Sequence, residues 1–220
     1  MKIAIVGGTA GLGFGLALRL AKAGEEVLIG SRNPEKAVAA ADEVVSRVGG
    51  GDVHGGANAD VVQGAEVVIV TVPYPGLAPT YNGLKDVIDE GATVIDCNVP
   101  LASEIGGKPT RMIGVWEGSA AQQARSLLPR SINVASGFHT VMFSRLEMVD
   151  TPLDQDVLVC GDKEGRAVAE KVVGKIEGAR FIDCGPIETA RILESLTALL
   201  IRININYKLD PGAGLKVTGL

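Results

Sequence analysis

Met1-Lys-Ile-Ala-Ile-Val-Gly-Gly-Thr-Ala-Gly-Leu-Gly-Phe-Gly15 decides the fold. A β-branched strand, Lys2–Val6, runs into a glycine-rich turn and then an apolar helix expected from Gly11 to Ala23. Leu12, Leu16 and Leu20 share one face of that helix, and Gly24 is its stop. Strand, glycine turn and helix in this order form the phosphate-binding opening of a dinucleotide fold, because free backbone N–H groups at the helix start attract an anion. In the G-x-G-x-x-G alignment, Gly8, Ala10 and Gly13 occupy the three glycine positions. The middle glycine normally lets the backbone approach a pyrophosphate. Ala10 departs from it, and the adjacent Gly11 can supply the same freedom.

The next strand, Glu26–Gly30, runs into Ser31-Arg-Asn-Pro-Glu-Lys36. An NAD site usually has a carboxylate there for the ribose 2′-OH. A hydroxyl and two cations stand here instead, which suits a 2′-phosphate and points to NADP. Ser31, Arg32 and Lys36 also fit a solvated helix start, with Asn33 as N-cap and Pro34 in the first turn. Cations at a helix N-terminus oppose its dipole, however, and a bound phosphate would offset that.

Gly7-x-x-x-Gly11-x-Gly13 also matches the spacing of short-chain dehydrogenases, which requires a Tyr-x-x-x-Lys pair deep in the chain. The match Tyr81-Asn-Gly-Leu-Lys85 comes too early, and Gly83 weakens any helix across it. It reads as coincidence.

The 220 residues suit one large domain or a full domain plus a small one. With 46% hydrophobic but only 4% aromatic residues, the core should be aliphatic. A net charge of −5 gives no basic footprint for nucleic acid, so Arg32 and Lys36 form a local cationic spot on an acidic protein. Cys97, Cys160 and Cys184 are far apart and form no CxxC pair, so neither a disulfide framework nor a metal site is indicated. The apolar runs Ala65–Pro73 and Leu196–Ile201 are far shorter than the ~20 residues of a membrane helix. The chain opens directly on a strand, so no signal peptide is expected. A soluble, cytoplasmic protein is expected.

Further along, Val48–Ala59 reads as a glycine-rich loop around a short strand, and Ala65–Val72 as a buried strand ended by Pro73-Tyr-Pro-Gly76. A helix is expected over Leu77–Asp89, a strand over Thr93–Cys97, and irregular chain over Leu101–Arg111. Ser119–Leu128 reads as a helix and Ile132–Phe138 as the last strand of the sheet. Alternating strands and helices imply an α/β, Rossmann-type, doubly wound and mostly parallel sheet. The pattern loosens over Glu147–Asp154, which divides a dinucleotide-binding domain (1–148) from a smaller C-terminal α/β domain (149–220). The latter should hold strand, helix, strand, a long helix from Glu188 to Tyr207, and a glycine-rich tail, Pro211–Leu220.

Ligands in such sheets sit at the carboxyl ends of the strands. That places Val72, Pro73 and Tyr74 at the cofactor edge, with Tyr74 either packing along the ribose or ring or forming a surface turn. Val99 and Pro100 end the next strand, beside the nicotinamide. His139 follows an apolar strand in Ser136-Gly-Phe-His-Thr140, where it is either a satisfied structural histidine or faces a ligand. Nucleophilic and acid–base constellations are scarce. Hydride exchange between two bound rings needs none, only alignment and the exclusion of water.

Over essentially its whole length the chain resembles the F420-dependent NADP oxidoreductases, F420 being an 8-hydroxy-5-deazaflavin coenzyme. The resemblance rests on Gly7–Gly13 with Gly15–Leu20, Gly30-Ser-Arg32 with Lys36, and Val72-Pro73 plus an aromatic. It continues through Ser136–Thr140, Val159-Cys-Gly-Asp162 and Glu194-Ser-Leu-Thr197. It implies reversible hydride transfer between reduced F420 and NADP. Thr9 to Leu12 would then meet the pyrophosphate, and Ser31, Arg32 and Lys36 the 2′-phosphate. Tyr74, Ala78 and Gly137 would line the nicotinamide half, while His139 and the Glu194–Thr197 stretch would border the deazaflavin. It also implies a homodimer built through the C-terminal part. Ala10, Tyr74 in place of a larger indole, and the tail after Leu209 depart from the family pattern. The same fold serves imine reductases, so an NADP-dependent reductase of a small cyclic imine is the rival reading, with a non-catalytic NADP sensor behind it.

Overall fold

The computed structural model describes all residues, 1–220. In chain order the elements are β1 (Lys2–Val6), α1 (Gly11–Lys22), β2 (Glu26–Ser31), α2 (Pro34–Val48), β3 (Val53–Ala57) and α3 (Asn58–Val61). There follow β4 (Val67–Val70), α4 (Leu77–Leu84), β5 (Thr93–Asp96), α5 (Ala120–Leu127), β6 (Asn133–Ser136) and α6 (Phe143–Glu147). The chain ends with β7 (Gln155–Gly161), α7 (Lys163–Val173), β8 (Ala179–Asp183) and α8 (Ala190–Tyr207).

The eight strands form one sheet in the order β3-β2-β1-β4-β5-β6-β7-β8. The first six are parallel. Strands buried on both faces read as continuous apolar runs, as β1 and β4 do. Their side chains alternate between two cores. Ile3, Ile5, Ile29 and Ile69 pack with Leu16 and Leu20 of α1 on one side. Ala4, Val6, Val68 and Val70 pack with Leu77 and Tyr81 of α4 on the other. Strand order reverses between β1 and β4, the kind of switch point at whose carboxyl edge open α/β sheets bind ligands.

β6 is not the last strand. β7 pairs antiparallel with it through Ala135↔Gly161 and Ser136↔Cys160, and β8 adds parallel to β7. The five-residue α6 is too short for the crossover a parallel neighbour needs, so the chain turns back down the sheet. The region after residue 148 thus extends the main sheet. α4 also ends at Leu84 rather than Asp89, one residue after the helix-weakening Gly83. No helix is long and apolar enough to cross a membrane.

Two contacts tie α6 to α1. A Cβ on Gly15 would lie 2.7 Å from Leu146 Cβ, so glycine permits the close approach. The buried Arg19 guanidinium donates to the carbonyls of Leu146, Arg145 and Met148 at 2.7–2.8 Å, serving the orphan acceptors at the end of α6.

Candidate active site

In the turn between β1 and α1 the Gly7 and Gly8 N–H groups donate to the Gly30 carbonyl, at 3.0 and 3.3 Å, whereas those from Thr9 to the first turn of α1 have no backbone acceptor. Ala10 is the N-cap of α1, extended and exposed, with no side-chain cap and no acidic residue in the first turn. The left-handed residue is its neighbour Gly11, at φ 55, where a Cβ would meet open space. Gly11 therefore supplies the conformational freedom displaced by the Ala10 departure. Gly13 is buried against the Gly7–Gly8 backbone, while Thr9 and Leu12 are partly exposed at the mouth of the turn. An uncapped helix start of this kind is an anion site in search of a charge.

The second-strand end stands beside it, since β1 and β2 are paired through Val6↔Gly30. Ser31 Oγ accepts from Asn33 N–H at 3.1 Å, and Asn33 Oδ1 caps α2 at the Lys36 N–H. Arg32 and Lys36 are exposed, and neither forms an ion pair with the chain. Two unpaired cations at a helix N-terminus are electrostatically unfavourable until an anion joins them. This donor set fits a phosphate monoester next to a pyrophosphate cradle.

The remaining expected residues line the carboxyl edge. Val72 and Tyr74 are half-buried after β4, and Pro73 is exposed. Tyr74 leads into α4, on which Ala78 is half-buried. Burial, reinforced by Glu117 and then Glu194, raises the Tyr74 phenol above its usual range. Val99 and Pro100 leave β5, and the Gly137 N–H donates to Asp96 O at 3.1 Å, locking β6 to β5 at the edge.

Asp96 was not foreseen. Its carboxylate is fully buried and accepts from Tyr81 Oη at 2.6 Å, Asn98 Nδ2 at 2.7 Å and Asn98 N–H at 3.1 Å. Burial still raises its pKa, despite those donors. An aspartate inside an otherwise apolar strand, Thr93-Val-Ile-Asp-Cys97, was the available signal: buried carboxylates occur only where donors meet them. It also accounts for Tyr81, whose hydroxyl faces the core and not Lys85.

His139 is 7% exposed, with Nε2 3.1 Å from Ser136 Oγ. Burial pushes it down to about 4, so the imidazole is neutral at physiological pH. Its carbonyl accepts from Thr197 Oγ1 at 2.8 Å, which brings two of the expected second-site residues together. The third is engaged elsewhere. The Glu194 carboxylate accepts from Ala120 N–H at 3.0 Å and Ala121 N–H at 3.1 Å, capping α5 from α8. Burial nevertheless pushes it up to about 8. Glu194 forms part of the wall of a cavity of about 490 Å³ between the 100–118 connection and α8, with Pro100, Met112, Val115, Ile192 and Ser195.

The site is thus a phosphate-friendly end joined to a carboxyl edge whose titratable groups are buried. Compared with known proteins, residues 2–100 match the family described as NADP oxidoreductase, coenzyme F420-dependent. The F420-dependent NADP reductase of Methanothermobacter marburgensis is 43% identical over 224 positions, covering 100% of this chain and 99% of that protein. The chain belongs to the F420-dependent NADP reductase family. The namesake enzyme of Methanocaldococcus jannaschii is 44% identical over 225 positions, with coverage of 100% and 99%. A solved structure described as a putative F420-dependent NADP reductase, from an Arthrobacter species, superposes with a TM-score of 0.82. It is 28% identical over 99% of both chains. An imine reductase of Streptomyces aurantiacus shares the fold alone, at 16% identity and a TM-score of 0.58 over 92% of this chain and 60% of that one.

Proposed function

We propose that this protein transfers a hydride reversibly between the reduced deazaflavin coenzyme F420 and NADP. The observation that carries this reading is the pairing of an uncapped glycine cradle with two ion-pair-free cations, next to an edge that holds no exposed acid or base in catalytic geometry. Arg32 and Lys36 grip the 2′-phosphate while Ser31 offers its hydroxyl. Residues Gly8 to Gly13 and the α1 N-terminus hold the pyrophosphate. Val72, Pro73, Tyr74, Ala78, Val99, Pro100 and Gly137 line the nicotinamide half.

When both are bound, the deazaflavin and the nicotinamide supply the redox chemistry themselves, one giving and the other taking a hydride. The chain's task is alignment in a water-poor cleft. His139, kept neutral, positions the second ring. If the Ser136 hydroxyl donates to Nε2, then Nδ1 carries the proton and can donate to a ring carbonyl. Thr197 fixes the backbone of that turn, and Glu194 borders the second site by holding α5 against α8.

Residues 1–148 form the NADP-binding domain in this reading, and 149–220 close the second site. A homodimer through the C-terminal part is in keeping with the apolar residues that α8 leaves exposed, Ile192, Leu199, Ile205 and Tyr207. The same reading puts the protein in the cytoplasm.

The test is an anaerobic assay mixing the pure protein with reduced F420 and NADP, following the return of oxidised F420 absorbance. Rapid reoxidation with NADP and little with NAD is expected. No turnover, despite measurable NADP binding, would move the assignment to a small-substrate reductase.

A further inference from the structure

The turn that carries His139 is held under backbone strain. Phe138 adopts φ 66 with its ring 1% exposed, an uncommon conformation for a bulky residue. Such a residue persists only where its surroundings over-determine it. Part of that scaffold is already described: Gly137 is tied to Asp96, and Thr197 to the His139 carbonyl. The rest comes from the C-terminal tail, for which a cover over the deazaflavin was the expectation.

The tail folds back behind this turn. Because β7 runs antiparallel to β6, its first residues, Gln155 and Asp156, lie at the carboxyl edge beside the turn. Gln155 is buried and its Nε2 reaches the Thr140 carbonyl at 3.5 Å. Gly214 packs on the same side chain, and a Cβ there would sit 2.7 Å from Gln155 Oε1. Gly212 packs against Met142, and its carbonyl accepts from Arg145 Nη2 at 3.0 Å and Nε at 3.2 Å. Ser144 Oγ donates to the Pro211 carbonyl at 3.2 Å, and Ala213 N–H donates to Asn204 Oδ1 at 2.7 Å.

Further on, the tail is gripped by β7 and β8. Asp156 N–H donates to Leu215 O at 2.8 Å, and Asp156 Oδ2 accepts from Val217 N–H at 2.5 Å. Arg180 donates to both Asp156 oxygens, at 2.7 and 2.8 Å, and to Val217 O at 2.5 Å. The peptide at Val217 is therefore held by both its N–H and its C=O. None of residues 211–220 lines the cavity between the 100–118 connection and α8. A lid over that cavity would be expected to line it.

We infer that residues 211–218 form a strap that positions the His139 turn from behind, locked by the Asp156–Arg180 pair. These are positioning residues: they touch neither ring and act through Gln155, Met142 and Arg145. The functional consequence rests on the hydride-transfer reading of the site.

Two variants release the strap by different routes. Gly214→Val forces the Gln155 amide off Thr140, and Arg180→Gln removes the clamp on Val217. The chain has only two histidines, His54 and His139, so proton NMR can follow each imidazole separately. In the unaltered protein burial is expected to hold the His139 midpoint down at about 4. In both variants its midpoint is expected to rise toward the unperturbed ~6.5 as the turn loosens and admits water. With reduced F420 and NADP, kcat is expected to fall about ten-fold or more, since misplacement of order 1 Å costs that much. NADP affinity measured alone should stay unchanged.

A His139 titration unchanged in both variants overturns the inference, whatever the kinetics. So does a rise in KM for F420 with kcat and the histidine unmoved, the signature of a lid. If the unaltered protein shows no turnover, the functional reading fails, while the histidine titration still decides whether the strap exists.

Discussion

Replacing Arg32 and Lys36 together by glutamine tests the site where the structure is most specific. Both side chains are exposed and neither is ion-paired, so their loss strands no buried partner. Folding stability should change by no more than about 0.5 kcal/mol. Their worth is in binding. A charge-assisted, two-pronged contact from Arg32 to a phosphate contributes about 2 kcal/mol, and the Lys36 point charge about 1 kcal/mol in this solvent-exposed position. The sum of ~3 kcal/mol corresponds to about a 150-fold rise in Kd. NADH carries no 2′-phosphate, so its Kd should move less than about three-fold on the same scale. The assay is a fluorescence titration with NADPH and NADH at low and moderate salt. The preference of the unaltered protein for NADPH should itself shrink as salt rises, because exposed charges are screened. Equal losses for the two nucleotides would refute the reasoning, as would an NADPH loss under about five-fold, because the cations would then be acting on something other than the 2′-phosphate.

Glu194→Gln should alter how stability varies with pH. The folded carboxyl sits at about 8 against an ordinary 4.5, so the folded state holds a proton the unfolded chain has released. Its stabilising contribution is complete below pH 4.5 and is lost as pH rises to 8, by up to about 1.4 kcal/mol per unit. Urea unfolding at pH 5, 7 and 9 should show the variant with the flatter profile, and parallel profiles would contradict the assignment. Tyr81→Phe removes one of three donors to the buried Asp96 and should cost about 2 kcal/mol in the same assay; a neutral result would mean Asp96 is not charged there. Arg19→Met leaves the carbonyls at the end of α6 without their buried donor and should cost about 3 kcal/mol, with α6 amides exchanging faster; protected α6 amides would show that another group caps it.

The glycine turn and the second-strand end were legible as structure because each is built from consecutive residues: Gly7–Gly13 lead into α1, and Ser31–Lys36 run from β2 into α2. The same holds for Asn33, expected as a cap and found bonding Lys36 N–H. The contacts of the residues proposed for the second site join parts far apart in sequence. Thr197 meets His139 across 58 positions and Glu194 meets Ala120 across 74, and no local pattern encodes either pairing. The continuation of the sheet into β7 was hidden for a related reason. It depends on α6 being one short turn, and a five-residue helix leaves too little periodicity to separate it from a loop.

The groups that sequence alone could not place share a property that bears on the reaction. Burial moves His139 down and Glu194 up, and Asp96 is fully enclosed by its donors. Near neutral pH the imidazole therefore carries no charge, and the Glu194 carboxyl is mostly protonated. A carbonyl reductase needs a donor poised to protonate the developing alkoxide. Three hydroxyls at or behind the edge are committed to structural bonds: Tyr81 to Asp96, Thr197 to the His139 carbonyl, and Ser136 to the His139 pair. Hydroxyls engaged in this way hold the turn in place, which suits a reaction in which the electron pair and hydrogen move together between rings. The bonds from Ser136 and Thr197 keep the His139 turn rigid, and rigidity is what ring-to-ring transfer requires.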